Sequence, residues 1–432
     1  MKLQYLLLIT HVFGGLLQLD LNYKSNNLKK RDDGKVELIP NYEPDQGEYF
    51  VELEFGSNKE NFTVIIDTGS ADLWIPSVNA NCSVDYPSDV SICPINGYNW
   101  KNSVTFNLTS EDFNIHYDDG TVASGFFAQD TVWVGNIEVK NTIFGIANKT
   151  DSSATLGIGL PVLEAGHKES NKTTYPNFPQ KLKLDGITNR VLYSIMLNQD
   201  HLKSSLLFGA VDHAKYLGEL VTLPVVTNSD LQSSMVVQLD SIELGTKESN
   251  ITLVSENSNV QFDTGSTYSS FKPSFLKNLT QQLGGEEMDN VYFVNETAFN
   301  ETELYFSFQN KTFAVPIMAQ LTGPNQNTLL YNNLPENSDL DIILGQDFMT
   351  QIYAVFDLDG LEVSIAPQSG SSKSNVQVVG ADGNFTKQSG DASETSGDAS
   401  ETSGDSSEKS GASSIKNVSI YLLVVSVLFG LF

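Results

Sequence analysis

The stretch Val64-Ile65-Ile66-Asp67-Thr68-Gly69-Ser70 has a near-copy in Val260-Gln261-Phe262-Asp263-Thr264-Gly265-Ser266. In both, an apolar run that reads as a buried strand ends in Asp-Thr-Gly-Ser. A carboxylate at the end of such a strand is costly unless it is hydrogen-bonded or paired. Two of them point to a shared task. Gly69 and Gly265 suit a tight turn where another backbone comes close, and the hydroxyls of Thr68, Ser70, Thr264, Ser266 and Thr267 can orient the carboxylates. The chemistry that uses two like carboxylates is hydrolysis by an otherwise unaided water. Repulsion splits their pKa values, so in mild acid one is protonated and the other ionised. One can then take a proton from water while the other gives one to a carbonyl oxygen.

The wider context repeats as well. Leu156-Gly157-Ile158-Gly159 brings a glycine 90 residues after Asp67, and Ile342-Ile343-Leu344-Gly345 brings one 82 residues after Asp263. One such motif is an ordinary strand-to-turn junction; two in matching contexts are a duplicated half-site. Asp67-Thr68-Gly69-Ser70-Ala71-Asp72-Leu73-Trp74-Ile75-Pro76-Ser77 resembles the N-terminal catalytic loop of pepsin-like aspartic proteases, and Phe262 to Thr267 resembles its C-terminal counterpart. The likeness runs from about Tyr49 to Pro367, through Ser205 to Gly218 and Ile343 to Asp357. It implies a mainly β, bilobal fold with the cleft between two related lobes, residues 32–220 and 221–368, and Asp67 with Asp263 as the catalytic pair. It also implies a hairpin flap at His116 to Thr121, with substrate contacts from Tyr117, Asp119, Gly120 and Trp74. Asp118 departs from the glycine usual there and restricts the flap backbone.

Local patterns agree with a β-rich chain. Tyr49, Val51, Leu53 and Phe55 alternate with polar residues, as do Leu304, Phe306 and Phe308 before a turn at Asn310-Lys311. One helix is well marked, from Pro273 through Phe275, Leu276, Leu279 and Leu283 to Gly284-Gly285.

The formal net charge is −28 over 432 residues, and residues 1–31 carry five basic side chains against one acid, so their removal leaves a more acidic protein. That surface opposes nucleic-acid binding and favours basic partners. The five histidines form no HExxH, and there is no GxSxG, so zinc and serine-hydrolase mechanisms lack their parts. No metal or cofactor is implied, and a monomer is expected.

Both ends carry secretory signals. Residues 1–20 read as a signal peptide, and 21–31 as a short propeptide ending at Lys30-Arg31, similar to a furin- or Kex2-type processing site; an incidental basic cluster is the alternative. Cys82 and Cys93 can bridge in an oxidising compartment, with buried free thiols as the other reading. Sequons start at Asn61, Asn81, Asn107, Asn148, Asn171, Asn250, Asn278, Asn295, Asn300 and Asn310. Residues 369–413 read as a disordered Ser/Gly/acidic stalk, because the heptads of 389–409 lack any large apolar residue. Residues 414–432 read as a glycosylphosphatidylinositol (GPI) attachment signal, since the small residues Ser410 to Ser413 precede a short polar stretch and then an apolar tail from Val418; a membrane helix is the alternative. Stalk and tail together resemble those of yapsins, GPI-anchored proteases that cleave at basic residues. The catalytic motifs fit the secreted, broad-specificity candidapepsins equally, and a catalytically silent binding protein on the same fold is the reading from another class.

Overall fold

The computed structural model describes residues 34–43, 47–81, 97–117, 119–165, 174–198, 204–226, 234–245, 249–295, 302–323 and 326–385. The leader, Lys30-Arg31, Cys82, Cys93, Asp118, Asn171, Asn300, the heptads and the apolar tail lie outside them.

Alternation decides the first strands. Glu48–Phe55 buries Tyr49, Val51, Leu53 and Phe55, and its antiparallel partner Glu60–Asp67 delivers Asp67 at its end. Both belong to an eight-stranded sheet built from residues 41–150 and the short strand Thr155–Gly157. That short strand runs parallel to Glu60–Asp67, pairing Ile66 with Leu156 and Asp67 with Gly157, and antiparallel to Leu73–Asn81 on its other side. The second half repeats the device. Ile342–Leu344 runs parallel to Ser258–Phe262 and antiparallel to Ser270–Phe271. Each catalytic loop is therefore straddled by a short apolar strand from about 80 to 90 residues downstream. The glycine that ends the first of these strands and the one that follows the second are required by space: a Cβ on Gly157 would lie 2.6 Å from Asp72 N, and one on Gly345 2.6 Å from Ser266 O.

The two sets of sheets, from residues 41–157 and 237–344, define the two lobes of a bilobal, mainly β protein. A six-stranded sheet joins them, in the order Val36–Leu38, Ser205–Phe208, Leu192–Met196, Ile352–Asp357, Glu362–Pro367, Val221–Pro224. The expected boundary at residue 220 falls at the edge of this shared sheet. The helix Pro273–Gln282 forms as its sequence requires, with proline in its first turn and Leu276, Leu279 and Leu283 buried.

Two expectations are corrected. The hairpin after Glu303–Phe308 turns at Gln309-Asn310, with Gln309 at φ 50°, and Lys311 already begins the returning strand. The stalk does not begin at 369: Val376–Val378 pairs with Ala210–Asp212, and Val379 is fully buried. A Ser/Gly-rich composition masked three valines that a neighbouring strand and a small core could use.

Candidate active site

Asp67 and Asp263 are brought together by their own loops. Thr68 Oγ1 donates to Phe262 O (2.8 Å) and accepts from Thr264 N (3.0 Å). Thr264 Oγ1 donates to Ile66 O (2.7 Å) and accepts from Thr68 N (3.1 Å). Each threonine thus satisfies two buried backbone groups of the opposite half, and both side chains are buried. The carboxylates are held symmetrically. Asp67 accepts from Gly69 N (2.7 Å) and Ser70 Oγ (2.5 Å), and Asp263 from Gly265 N (2.8 Å) and Ser266 Oγ (3.0 Å). A Cβ on Gly69 would stand 2.7 Å from Asp263 Oδ1, and one on Gly265 2.8 Å from Asp67 Oδ1. Glycine is therefore what lets each carboxyl lie against the other loop.

Burial, then the charge of Asp67, then a hydrogen bond with that carboxyl push the Asp263 pKa well above the ordinary aspartate range. The two carboxyls share a hydrogen bond, and the crowding of two acids in one buried site favours a single proton held between them. Among the described residues no cluster of side chains could hold a metal ion.

At the expected flap, the strands Asn107–His116 and Val122–Val134 pair antiparallel as a hairpin. Tyr117 follows the strand Asn107–His116, its backbone N–H bonding Thr121 O (2.9 Å) and its carbonyl accepting from Gly120 N (3.0 Å). Gly120, at φ 89°, makes the turn, and Asp119 is exposed, its Oδ1 accepting from Thr121 N and Oγ1 at 2.8 and 2.7 Å. Trp74 corrects its expected role. It is fully buried, and its indole N–H donates to the Tyr117 hydroxyl at 2.7 Å, so it supports the flap residue from behind. Burial and then the charge of Asp67 raise the Tyr117 pKa, so the phenol stays a proton donor across the working range.

Several neighbours carried no signal in the sequence. Glu48 receives hydrogen bonds from Gln346 Nε2 (2.9 Å) and Thr267 Oγ1 (3.3 Å); Gln346 also donates to Thr264 O (2.9 Å), and Thr267 to Gly47 O (3.1 Å). Burial, followed by the charges of Asp263 and Asp67 against the relief from Gln346, pushes Glu48 up to about 8. Tyr193 on the central sheet lies close enough to both aspartates for their charges to act on its phenol. Asp72, within the first motif, is fully buried, accepting from Tyr175 Oη (2.6 Å) and Ala165 N (2.8 Å). Beside it Glu164, also buried, accepts from Tyr175 N (2.9 Å) and is raised to about 9 by desolvation. Glu48, Gln346, Tyr193 and Glu164 are separated in sequence from the loops they serve, and only the folded chain brings them there.

Of the sequon asparagines, Asn61, Asn81, Asn107, Asn148, Asn250, Asn295 and Asn310 are exposed and Asn278 is half-buried. A further sequon, Asn384-Phe385-Thr386, escaped the sequence reading.

A two-lobed β protein with paired Asp-Thr-Gly loops locked face to face is the architecture of a pepsin-like hydrolase. Residues 48–368 match the eukaryotic aspartyl protease family model, and the chain belongs to that family. It is 35% identical to secreted aspartic protease 10 of Candida albicans over 394 residues, covering 85% of this chain and 81% of that protein. It is 32% identical to aspartic proteinase yapsin-3 of Saccharomyces cerevisiae over 377 residues, covering 83% and 73%. The fold superposes on the aspartic proteinase from Irpex lacteus with a TM-score of 0.64 at 19% identity, covering 78% of this chain and 98% of that one. The protein is an aspartic-type endopeptidase acting on protein and peptide substrates.

Two predictions follow from this geometry. Thr264→Val strands the Thr68 N–H and the Ile66 carbonyl, at about 1–3 kcal/mol for each buried group; thermal melts should fall and activity with them, while Thr264→Ser retains both. Second, Glu48 at about 8, Glu164 at about 9 and Asp347 at about 6 all have pKa values raised by burial. The folded state then binds more protons than the unfolded one above the ordinary carboxylate range, so stability is full in acid and declines as pH rises through those values. Melting temperatures measured from pH 4 to 9 should drop, and Glu164→Gln should reduce the drop. A flat profile would contradict the assignment.

Proposed function

We propose that this chain is a cell-surface endopeptidase, tethered through a GPI lipid, that prefers basic residues at the cleavage site and serves in processing or in shedding of wall proteins. The observation that carries the catalytic part is the approach of the Asp67 and Asp263 carboxyls, each held by its own loop against the glycine of the other. In this reading the ionised member of the pair takes a proton from water, whose oxygen bonds to the scissile carbonyl carbon. The shared proton passes to the carbonyl oxygen. As the resulting diol collapses, one of its hydroxyls returns a proton to the carboxylate that had given one up, the C–N bond breaks, and the amine leaves with the proton that the other carboxyl took from water. Tyr117 closes over the substrate, excluding water.

The basic preference draws support from the net charge of −28 and from the exposed Asp119 carboxylate at the flap tip, and the tether from the heptads and apolar tail. Processing after Arg31, a Cys82–Cys93 disulfide and glycans on the exposed asparagines complete a secretory reading. The yapsin-3 relative is compatible with the basic preference; the secreted Candida relative keeps a broad-specificity, candidapepsin-like enzyme as the second reading.

Peptides with and without Lys or Arg, assayed at pH 4 to 6, decide among the readings. Selective cutting of the basic set supports the proposal, equal cutting favours the broad-specificity enzyme, and no cutting leaves a silent binding protein. Asp67→Asn or Asp263→Asn should lower kcat/KM by about 1000-fold or more with secretion intact. Phospholipase treatment should release the protein from cells if the tether is a GPI lipid.

A further inference from the structure

The six-stranded sheet has two unlike faces. Along Ile352–Asp357, the side chains of Ile352, Ala354 and Phe356 enter the main core, while Tyr353 and Val355 enter a smaller one. On the adjacent strand Tyr193 and Ile195 share the main core, and Leu192 and Met196 the smaller. Tyr193 stacks on Phe356 with ring centroids 5.0 Å apart, and Phe356 packs edge-on against Phe262, the residue that precedes Asp263. The smaller core therefore lies on the face turned away from the dyad.

The chain closes that face with residues that follow the family match, which ends at 368. Val379 is fully buried there, and Phe385 packs against the same cluster. Val376, Gln377 and Val378 pair with Asp212, Val211 and Ala210. The fastening is polar at both ends. Asp212 accepts from Asn375 N (2.7 Å) and Ser374 Oγ (2.8 Å), and His213 N donates to Asn375 O (2.9 Å). Further along, Arg190 donates to Ala381 O (3.0 Å) while its Nε is paired with Asp357 of the sheet at 2.8 Å.

We infer that residues 369–385 are a clamp built into the peptidase, completing its dyad-distal core and holding Phe385 on the face turned away from the catalytic pair. A tethered enzyme then offers its cleft to substrates away from its own attachment. The second half of this inference rests on the tethered reading above; the first does not.

The described residues end at Phe385, so secreted chains ending after Phe385 and after Gln368 isolate the clamp. The shorter chain should melt on the order of 10 °C lower or fail to be secreted, and Val379→Ala in the longer one should melt about 5 °C lower with kcat/KM on a short peptide unchanged. Equal melting of the Val379→Ala and parent chains would overturn the clamp. For orientation, the cell-attached full chain lacking residues 389–409 should cleave a large folded protein within about twofold of the intact chain, relative to a short peptide. Selective loss of the large substrate by about tenfold would overturn the outward-facing cleft. Recovery of the intact chain in the medium would instead refute the tether, and the melts would still decide the clamp.

Discussion

The reciprocal hydrogen bonds between Thr68 and Thr264 are the constraint on which the site depends. Each hydroxyl both donates and accepts across the junction of the lobes, so four buried backbone groups find partners only if both loops are present and aligned. Buried polar groups left unmatched are costly, which makes the alignment of the two halves a condition of folding as well as of catalysis. The approach of Asp67 and Asp263 follows from it. Once the threonines are engaged, Gly69 and Gly265 leave room for each carboxyl against the opposite loop.

Around this centre the protein accumulates acid groups whose neutral form is favoured by burial. Asp263 is raised by its partner's charge as well as by desolvation, Glu48 by desolvation with both aspartates nearby, and Glu164 by desolvation beside Asp72. Such a site is suited to acid. A net charge of −28 acts in the same direction, since protonation relieves self-repulsion.

Much of this was legible in the sequence, for a physical reason. The duplicated Asp-Thr-Gly-Ser, the downstream glycines and the apolar alternation of Tyr49 to Phe55 are local patterns, and local patterns specify strands, turns and the loops between them. Glu48 and Gln346 were silent because their importance comes from a contact made across 298 positions. Trp74 was misread because a motif fixes a residue's place in the chain and not which way its ring faces. The clamp was hidden for a different reason: three valines in a Ser/Gly-rich stretch look like linker until a strand with the matching register is beside them.

The most direct test of the shared proton is a carbon-13 NMR titration of the Asp263 carboxyl in the parent protein and in Asp67→Asn. Asp263 should titrate well above the ordinary aspartate range in the parent and move back toward that range when the neighbouring charge is removed. Titration of Asp263 in the ordinary range in both proteins would contradict it.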